Sequence, residues 1–439
     1  MIPVLTPKEM RAVDAGAPEP LDILVERAGR AVALAAVRML GGVYGRRVTV
    51  VAGPGNNGAD GRVAAKVLAR RGVRVRVVSP DERAALAGID LVIDAAYGTG
   101  LSRPYEFPEV AADVPVLAVD IPSGVDGLTG ELLGRPRRAD ETVTFVALKP
   151  GLLHEPGRSW CGRVQVVPIA GLDVEKVSTH VVEQSDAASW VPTRGADHHK
   201  WRSALRIIGG SAGMTGAVEL AARAATRVAG YVETAVPGRE GLEHPVEAVG
   251  RWLPALEWGS LAVADVDRFG AVLAGPGLRD PGELASLLTC TRPLLLDASA
   301  LVPELVGAIR ARSSPTIITP HDGEFSRLGG SSTVDRIGAT RDLAADLGVV
   351  VLRKGPTTVI AAPDGAVRMV TNGGPELASA GTGDVLAGLV AGLTASGVGA
   401  FDAAAAGAWI HAAAVAGRVG IVASDLVAAI PGVLEQLRG

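Results

Sequence analysis

Aromatic side chains are nearly missing from this sequence. Phe, Tyr and Trp make up 3% of 439 residues, while hydrophobic residues as a whole reach 48%. The core must then be assembled from Ala, Val, Leu and Ile, in strands covered by small-residue helices. Cysteine is rarer still. Two residues, Cys161 and Cys290, allow at most one bridge and exclude a disulfide scaffold. An excess of positive charge is also lacking. A net charge of -4 argues against nucleic acid as a main partner, since phosphate backbones call for clustered cations. The apolar content excludes disorder. The most apolar stretch, Val385 to Phe401, is rich in Gly and Ala and bracketed by Asp384 and Asp402. It falls short of the ~20 strongly apolar residues of a spanning helix and reads as a buried one. The chain start shows no basic segment followed by an apolar one. A cytoplasmic location without membrane attachment is expected.

Glycine, by contrast, is abundant: 56 residues, with 28 prolines. Short β-branched runs stop at Gly-rich segments and alternate with helical periodicity, which predicts α/β folding on doubly wound parallel sheets. In the first half, Leu21 to Leu40 and Gly61 to Arg71 read as helices. Residues 47–52, 73–78, 90–94, 115–120, 142–146 and 164–167 read as strands. Residues 177–199 lose this rhythm and carry Ser, Asp, Pro, Arg and the pair His198-His199, so they read as a linker. The pair has no companion ligands in that stretch to make a metal site. The expected domains are therefore 1–176 and 200–439. In the second half, strands are expected at 205–208, 272–274, 294–297, 316–319 and 349–352. A hairpin follows around Asp364-Gly365, and the chain closes on helices 384–396, 401–418 and 425–437.

Ligands of such sheets bind at the carboxyl ends of strands, and three of these in the first half carry chemistry. One is Gly53-Pro-Gly55-Asn56-Asn57-Gly58-Ala59-Asp60-Gly61, between a strand and a helix. Its glycines allow close backbone approach, and the helix start offers free amides to an anion. It lacks the Gly-Lys-Ser/Thr of a P-loop. The others are Asp94-Ala-Ala-Tyr97-Gly98-Thr99-Gly100-Leu101 and Asp120-Ile-Pro-Ser123-Gly124-Val-Asp126. Asn amides and carboxylates are oxygen ligands for a hard cation. Taken singly, each acid also suits a turn or helix cap.

In this order the three motifs resemble the NAD(P)H-hydrate epimerases, over roughly residues 4–170, including Leu5-Thr6-Pro7, Met10, Asp14 and Lys149-Pro150-Gly151-Leu152. The resemblance implies a Rossmann-like three-layer αβα sandwich. It implies substrate contacts at Asn56, Asn57, Gly58, Ala59, Asp60, Gly98, Thr99, Gly100, Leu101, Ser102, Arg103, Pro104 and Asp120. It also implies a potassium ion on Asn57, Asp94 and Ser123. Inverting a hydroxyl-bearing ring carbon needs a proton-exchanging group, and Asp120 is the candidate catalytic residue; its alternative role is to bind substrate. The family usually carries Gly where Ala59 stands, and a methyl there opposes φ > 0 and crowds a ligand.

The second half holds Ser379-Ala-Gly381-Thr382-Gly383-Asp384-Val-Leu-Ala-Gly388, whose glycines bare amides at the start of an apolar helix. Amides there can hold phosphoryl oxygens while Asp384 takes a proton from a hydroxyl. The alternative is an Asp that only complements the helix start. Gly-Thr-Gly-Asp resembles the active-site turn of ribokinase-like enzymes. Ile207-Ile-Gly-Gly-Ser211, Gly275-Pro-Gly277, Leu295-Leu-Asp-Ala-Ser299, Thr319-Pro-His321-Asp-Gly-Glu324 and Arg353-Lys354-Gly355 narrow the likeness. They are similar to the ADP- or ATP-dependent NAD(P)H-hydrate dehydratases, over roughly 198–439, which implies a second, ribokinase-like αβα sandwich. The resemblance implies substrate contacts at Ala217, Gly277, His321 and catalytic Asp384, nucleotide contacts at Lys354, Gly355, Pro356, Thr357, Thr358 and Gly383, and magnesium with the nucleotide. His321 suits a capped turn as well. Ser299 and Arg279 depart from the common family pattern.

The expected protein is a bifunctional nicotinamide-nucleotide repair enzyme. Its small-molecule substrates are NADHX and NADPHX, with ADP as phosphoryl donor, and homo-oligomerisation is expected. One rival reading is a ribokinase-like vitamin kinase. A second is a dehydratase whose first half is catalytically silent, a reading that Ala59 keeps open.

Overall fold

Val48-Thr-Val-Val51 has nothing but β-branched residues and is buried on both faces, as a parallel strand between helix layers must be. It belongs to the first of two compact units, Ile2–Val177 and Ser178–Gly439. The computed structural model describes every residue except 171, 173, 175, 176, 239–243 and 281.

Among the described residues, the main sheet of the first unit has six parallel strands: β1 (Arg47–Ala52), β2 (Arg74–Val78), β3 (Leu91–Ala95), β4 (Val116–Val119), β5 (Glu141–Phe145) and β6 (Arg163–Val167), in the order β2-β1-β3-β4-β5-β6. The order reverses between β1 and β3, which opens a crevice at their carboxyl ends. Helix α1 (Pro7–Ala15) starts at Thr6, whose side chain accepts from Glu9 N while the Glu9 carboxylate accepts from Thr6 N. Helix α2 (Leu21–Leu40) buries Leu24, Ala28, Val32 and Ala36 along one face. Helix α3 (Asn56–Arg70) follows β1. The α2–α3 approach is close: a Cβ on Gly29 would lie 2.5 Å from the Val63 Cβ.

The strands of the second unit are β7 (Thr179–Val181), β8 (Ala204–Ile208), β9 (Tyr231–Pro237), β10 (Val249–Leu253), β11 (Ala271–Ala274), β12 (Leu294–Leu296), β13 (Thr316–Ile318), β14 (Val350–Arg353), β15 (Thr358–Ala361) and β16 (Val367–Val370). They line up as β7-β16-β15-β14-β13-β12-β11-β8-β9-β10. All pairings are parallel except those of β15 with β14 and β16, the expected hairpin. The order reverses between β8 and β11. Helices α4 (Gln184–Trp190), α5 (Thr215–Ala225), α6 (Asp322–Arg327), α7 (Arg336–Leu347), α8 (Thr382–Ala395), α9 (Ala400–Ala413) and α10 (Ala423–Gln436) accompany them. The apolar stretch from Val385 is the almost wholly buried α8, and among the described residues no helix is long and apolar enough to cross a membrane. Helices α5 and α8 run the same way in near backbone contact, since a Cβ on Gly388 would lie 2.1 Å from the Ala221 carbonyl oxygen. Both N-termini therefore reach the same edge of the sheet.

One expectation needs correction. Residues 177–199 are not plain linker: Thr179–Val181 pairs with Val367–Met369, and Gln184–Trp190 is helical. The strand escapes a periodicity reading because it is only three residues long. Its Thr-His-Val sequence does not betray it either. Helix α4 starts at Glu183, whose side chain and that of Asp186 cap each other's backbone amides.

Candidate active sites

A cavity of about 540 Å³ opens at the carboxyl edge of the first sheet. Its wall includes Asn56, Asn57, Asp60, Gly98, Thr99, Gly100, Leu101, Ser102, Arg103 and Asp120, with Asp14 from α1 and Lys149 after β5. Residues widely separated in sequence thus meet as the motifs predicted. Gly58, Ala59 and Pro104 are not on the wall. Gly58 instead lets the helix start pack on the loop before it, since a Cβ there would lie 1.9 Å from the Gly53 carbonyl oxygen. Ala59 lies within the first turn of α3, its N–H donating to Gly55 O at 3.0 Å, with no positive φ. The conformational objection to a methyl at this position disappears.

Asp120 leaves β4 with φ 67, a left-handed conformation unusual for Asp. Its N–H donates to Val143 O at 2.7 Å, which pins the distortion to the neighbouring strand. Its carboxylate lies 2.6 Å from the Lys149 ammonium and accepts from the Thr144 hydroxyl at 3.1 Å. Lys149 is 1% exposed and also donates to Thr144 Oγ1 and Phe145 O. Asp60 is also buried but, among the described residues, has no such cation. Burial, with the negative charges of Asp120 and Asp14 added, pushes its carboxyl up to about 8.

Asp94 and Ser123 lie behind the wall, both buried. The Asp94 carboxylate accepts from Ser123 N at 2.8 Å and Ser123 Oγ at 2.6 Å. Burial nonetheless raises it to about 6, the Ser123 hydrogen bonds opposing. Both polar atoms of the Asn57 amide are buried without a hydrogen-bond partner.

In the second unit, four successive parallel strands deliver their ends to one edge: Gly275-Pro-Gly277 after β11, Asp297 after β12, Thr319-Pro-His321 after β13 and Lys354 after β14. Lys354 Nζ sits 2.8 Å from Asp297 Oδ1 and 3.8 Å from Glu324 Oε2. Burial works against its charge, but these two carboxylates prevail and hold the ammonium above its ordinary pKa. Thr319 Oγ1 donates to the same Asp297 oxygen at 2.7 Å. Helix α8 enters from Gly381 at φ 88, and a Cβ on Gly383 would lie 3.7 Å from Lys354 Nζ. Asp384 in its first turn is raised to about 6 by burial and by Asp297, with Lys354 opposing.

Gly277 and Ala217 also come together: a Cβ on Gly277 would sit 3.1 Å from that of Ala217. His321 caps α6, its Nδ1 accepting from Gly323 N and Glu324 N at 3.0 and 3.3 Å, while its ring remains 58% exposed with Nε2 3.4 Å from Glu324 Oε1. In the Lys354–Thr358 segment, Gly355 and Pro356 are exposed whereas Thr357 is buried. Ser299 Oγ donates to Leu278 O at 2.5 Å and ties the Gly277 loop to β12, while Arg279 reaches Ala212 O at 3.4 Å. Sequence reasoning assigned no role to Lys149 or Asp297. Both stood inside quoted motifs, but their partners, Asp120 and Lys354, lie far away in the chain.

A family model described as NAD(P)H-hydrate dehydratase matches residues 205–419, and one described as YjeF-related protein N-terminus matches residues 21–88 and 78–151. The bifunctional NAD(P)H-hydrate repair enzyme of Thermofilum pendens is 34% identical, over 95% of this chain and 92% of its own. That of Mycobacterium tuberculosis is 39% identical over 83% and 82%, and that of Salinibacter ruber 34% over 100% and 97%. Among solved structures, the ADP/ATP-dependent NAD(P)H-hydrate dehydratase of Bacillus subtilis, co-crystallised with ATP and Mg2+, covers 58% of this chain and 97% of its own. It superimposes with a TM-score of 0.50 at 28% identity. With near full-length relatives of this kind and a family model on each half, the chain belongs to the bifunctional NAD(P)H-hydrate repair enzymes.

Proposed function

We propose that the first unit interconverts the R and S forms of hydrated NADH and NADPH, and that the second dehydrates the S form to NAD(P)H at the expense of ADP. The observation that carries this reading is that each unit gathers its family's motif residues at one sheet edge, in a chain matching bifunctional relatives almost end to end.

In the first unit the hydrated nicotinamide enters the cavity, with its phosphates toward the bared amides at the start of α3. Asp120, held by Lys149, exchanges the proton. Potassium suits Asn57, Asp94 and Ser123: an unpartnered buried amide and a buried carboxylate beside a hydroxyl form a hard oxygen donor set. An ion held there would supply positive charge beside the Asp94 carboxylate.

In the second unit Asp384 accepts the proton of the ring hydroxyl as that oxygen attacks the terminal phosphoryl of ADP. Amides at Gly383 hold the phosphoryl oxygens and Lys354 balances their charge. Magnesium bound with the nucleotide would supply charge neutralisation on the phosphates. Phosphate then leaves, pushed by the ring nitrogen. Ala217, Gly277 and His321 position the nicotinamide side. The cytoplasmic location and homo-oligomeric assembly expected from sequence belong to the same reading, and sedimentation of the purified chain measures the latter.

The decisive experiment supplies mixed R and S hydrates of NADH with ADP and magnesium and follows both epimers and NADH. Consumption of both with stoichiometric NADH supports two active units. Consumption of S alone removes the epimerase, and absence of NADH removes the dehydratase.

A further inference from the structure

One cavity in the first unit presents two carboxylates in opposite surroundings. Asp120 has the Lys149 ammonium at 2.6 Å and the Thr144 hydroxyl at 3.1 Å. Asp60, on α3, is 7% exposed, lines the same cavity, and its carboxyl makes no hydrogen bond or ion pair with any described residue. The charged groups that bear on it come from three other elements. Asp14 projects from α1, Asp120 follows β4 and Lys149 follows β5. Of the cavity's cations, Lys149 is spent on Asp120, and the Arg103 guanidinium sits over the Tyr97 ring, 5.9 Å from its centre. Arg11 on α1 is exposed. On Asp60's own helix, Arg62 turns away to Gly53 O and Ala52 O at 2.9 and 3.3 Å. A carboxylate paired with an ammonium and a buried carboxyl without a cation thus line one cavity, the arrangement that separates a base from an acid.

We propose that Asp60 is a second catalytic residue of the epimerase, the acid that protonates the departing ring hydroxyl while Asp120 receives a proton from the water that replaces it. The inference rests on the epimerase reading above. The reacting carbon carries the hydroxyl and is bonded to the ring nitrogen. Asp60 transfers its proton to the hydroxyl oxygen, and the C–O bond breaks with its electron pair leaving on water. The nitrogen lone pair closes a C=N bond and leaves a flat cation, which the negative charges of Asp14 and Asp120 stabilise. Water adds through oxygen to the opposite face, the C=N pair returns to nitrogen, and the surplus proton passes to the Asp120 carboxylate. Each turnover moves one proton from Asp60 to Asp120. The form with the proton on Asp120 starts the reverse inversion, and exchange with solvent resets it.

The test uses the full-length chain with potassium and without ADP or ATP, so that dehydration is silent, and follows separated R and S hydrates. In the wild type, kcat/KM falls as pH rises through about 8, where Asp60 loses its proton. Asp60→Asn keeps the size but has no proton to give; kcat is expected to fall about 100-fold or more with KM within about threefold. Asp60→Glu restores part of the rate and the alkaline limb. In oxygen-18 water the wild type incorporates label into the inverted hydroxyl, a measurement that needs no variant. Retention of the original oxygen, or an Asp60→Asn variant with unchanged kcat, overturns the inference. A wild type that inverts nothing overturns the epimerase reading itself.

Discussion

The imidazole of His411, buried in α9, donates through Nε2 to the carbonyl of Thr382 at 2.8 Å. The bond ties α9 to the turn that bares the amides before Asp384. Burial holds the ring far below its usual pKa, at about 4, with the Thr382 bond opposing. It is thus the neutral tautomer that donates. His411→Phe leaves the carbonyl unpaired at a cost of about 1–3 kcal/mol and is expected to lower the dehydration rate at least tenfold while epimerisation is unchanged. Folding adds a pH signature. Between about 6.5 and 4 the unfolded chain binds a proton that the folded ring refuses. Stability therefore falls as pH drops through that window. Acid unfolding of the second unit loses this component in His411→Asn, and melting curves between pH 4 and 7 read it out.

Asp384 acts as a base only when ionised, and it ionises around pH 6. The kcat/KM of dehydration is expected to climb through that pH and level off above it. Asp384→Asn abolishes the climb and lowers the rate by about 1,000-fold, leaving epimerisation intact. Lys354→Met removes the cation that keeps the Asp384 pKa down. Its limb therefore moves to higher pH and the KM for ADP rises; a limb that stays put separates Lys354 from Asp384.

Ala59 occupies an ordinary helical position off the cavity wall. Ala59→Gly is therefore expected to leave epimerisation within twofold of the parent and to cost roughly 0.5–1 kcal/mol in stability. A large gain in rate would revive the reading of a silent first half.

Lys149→Met leaves the Asp120 carboxylate without its cation. Breaking a fully buried pair costs ~3–5 kcal/mol; the Asp120 side chain is 18% exposed, so that range is an upper bound. Epimerisation is expected to drop at least tenfold, because Asp120 then loses the ammonium that holds its carboxylate in place. Equal rates would free Lys149 of any part in the reaction.

The strands that end in Gly-rich loops were readable because their apolar runs are uninterrupted, as in Leu91–Ile93 before Asp94. Strand β9 was not, since Glu233 and Thr234 interrupt it. Glu233 is tolerated there only because Arg206, on the adjacent β8, meets it at 2.7 Å. Strand β10 went unread as an edge strand with exposed Val249 and Trp252. The loop motifs gave away both sites, since Gly, Asn and Asp at strand ends carry chemistry locally. Which carboxylate holds which cation was hidden, because the Asp297–Lys354 and Asp120–Lys149 pairs form only once strands are aligned. The left-handed φ of Asp120 has no local signature either; it is imposed by the Val143 carbonyl across the sheet.

The scarcity of aromatics has a spectroscopic consequence. Of the tryptophans, Trp160 alone belongs to the first unit, and it does not line the cavity; Trp190, Trp201, Trp252, Trp258 and Trp409 all belong to the second. Intrinsic fluorescence during heating or denaturant titration thus reports almost entirely on the dehydratase half.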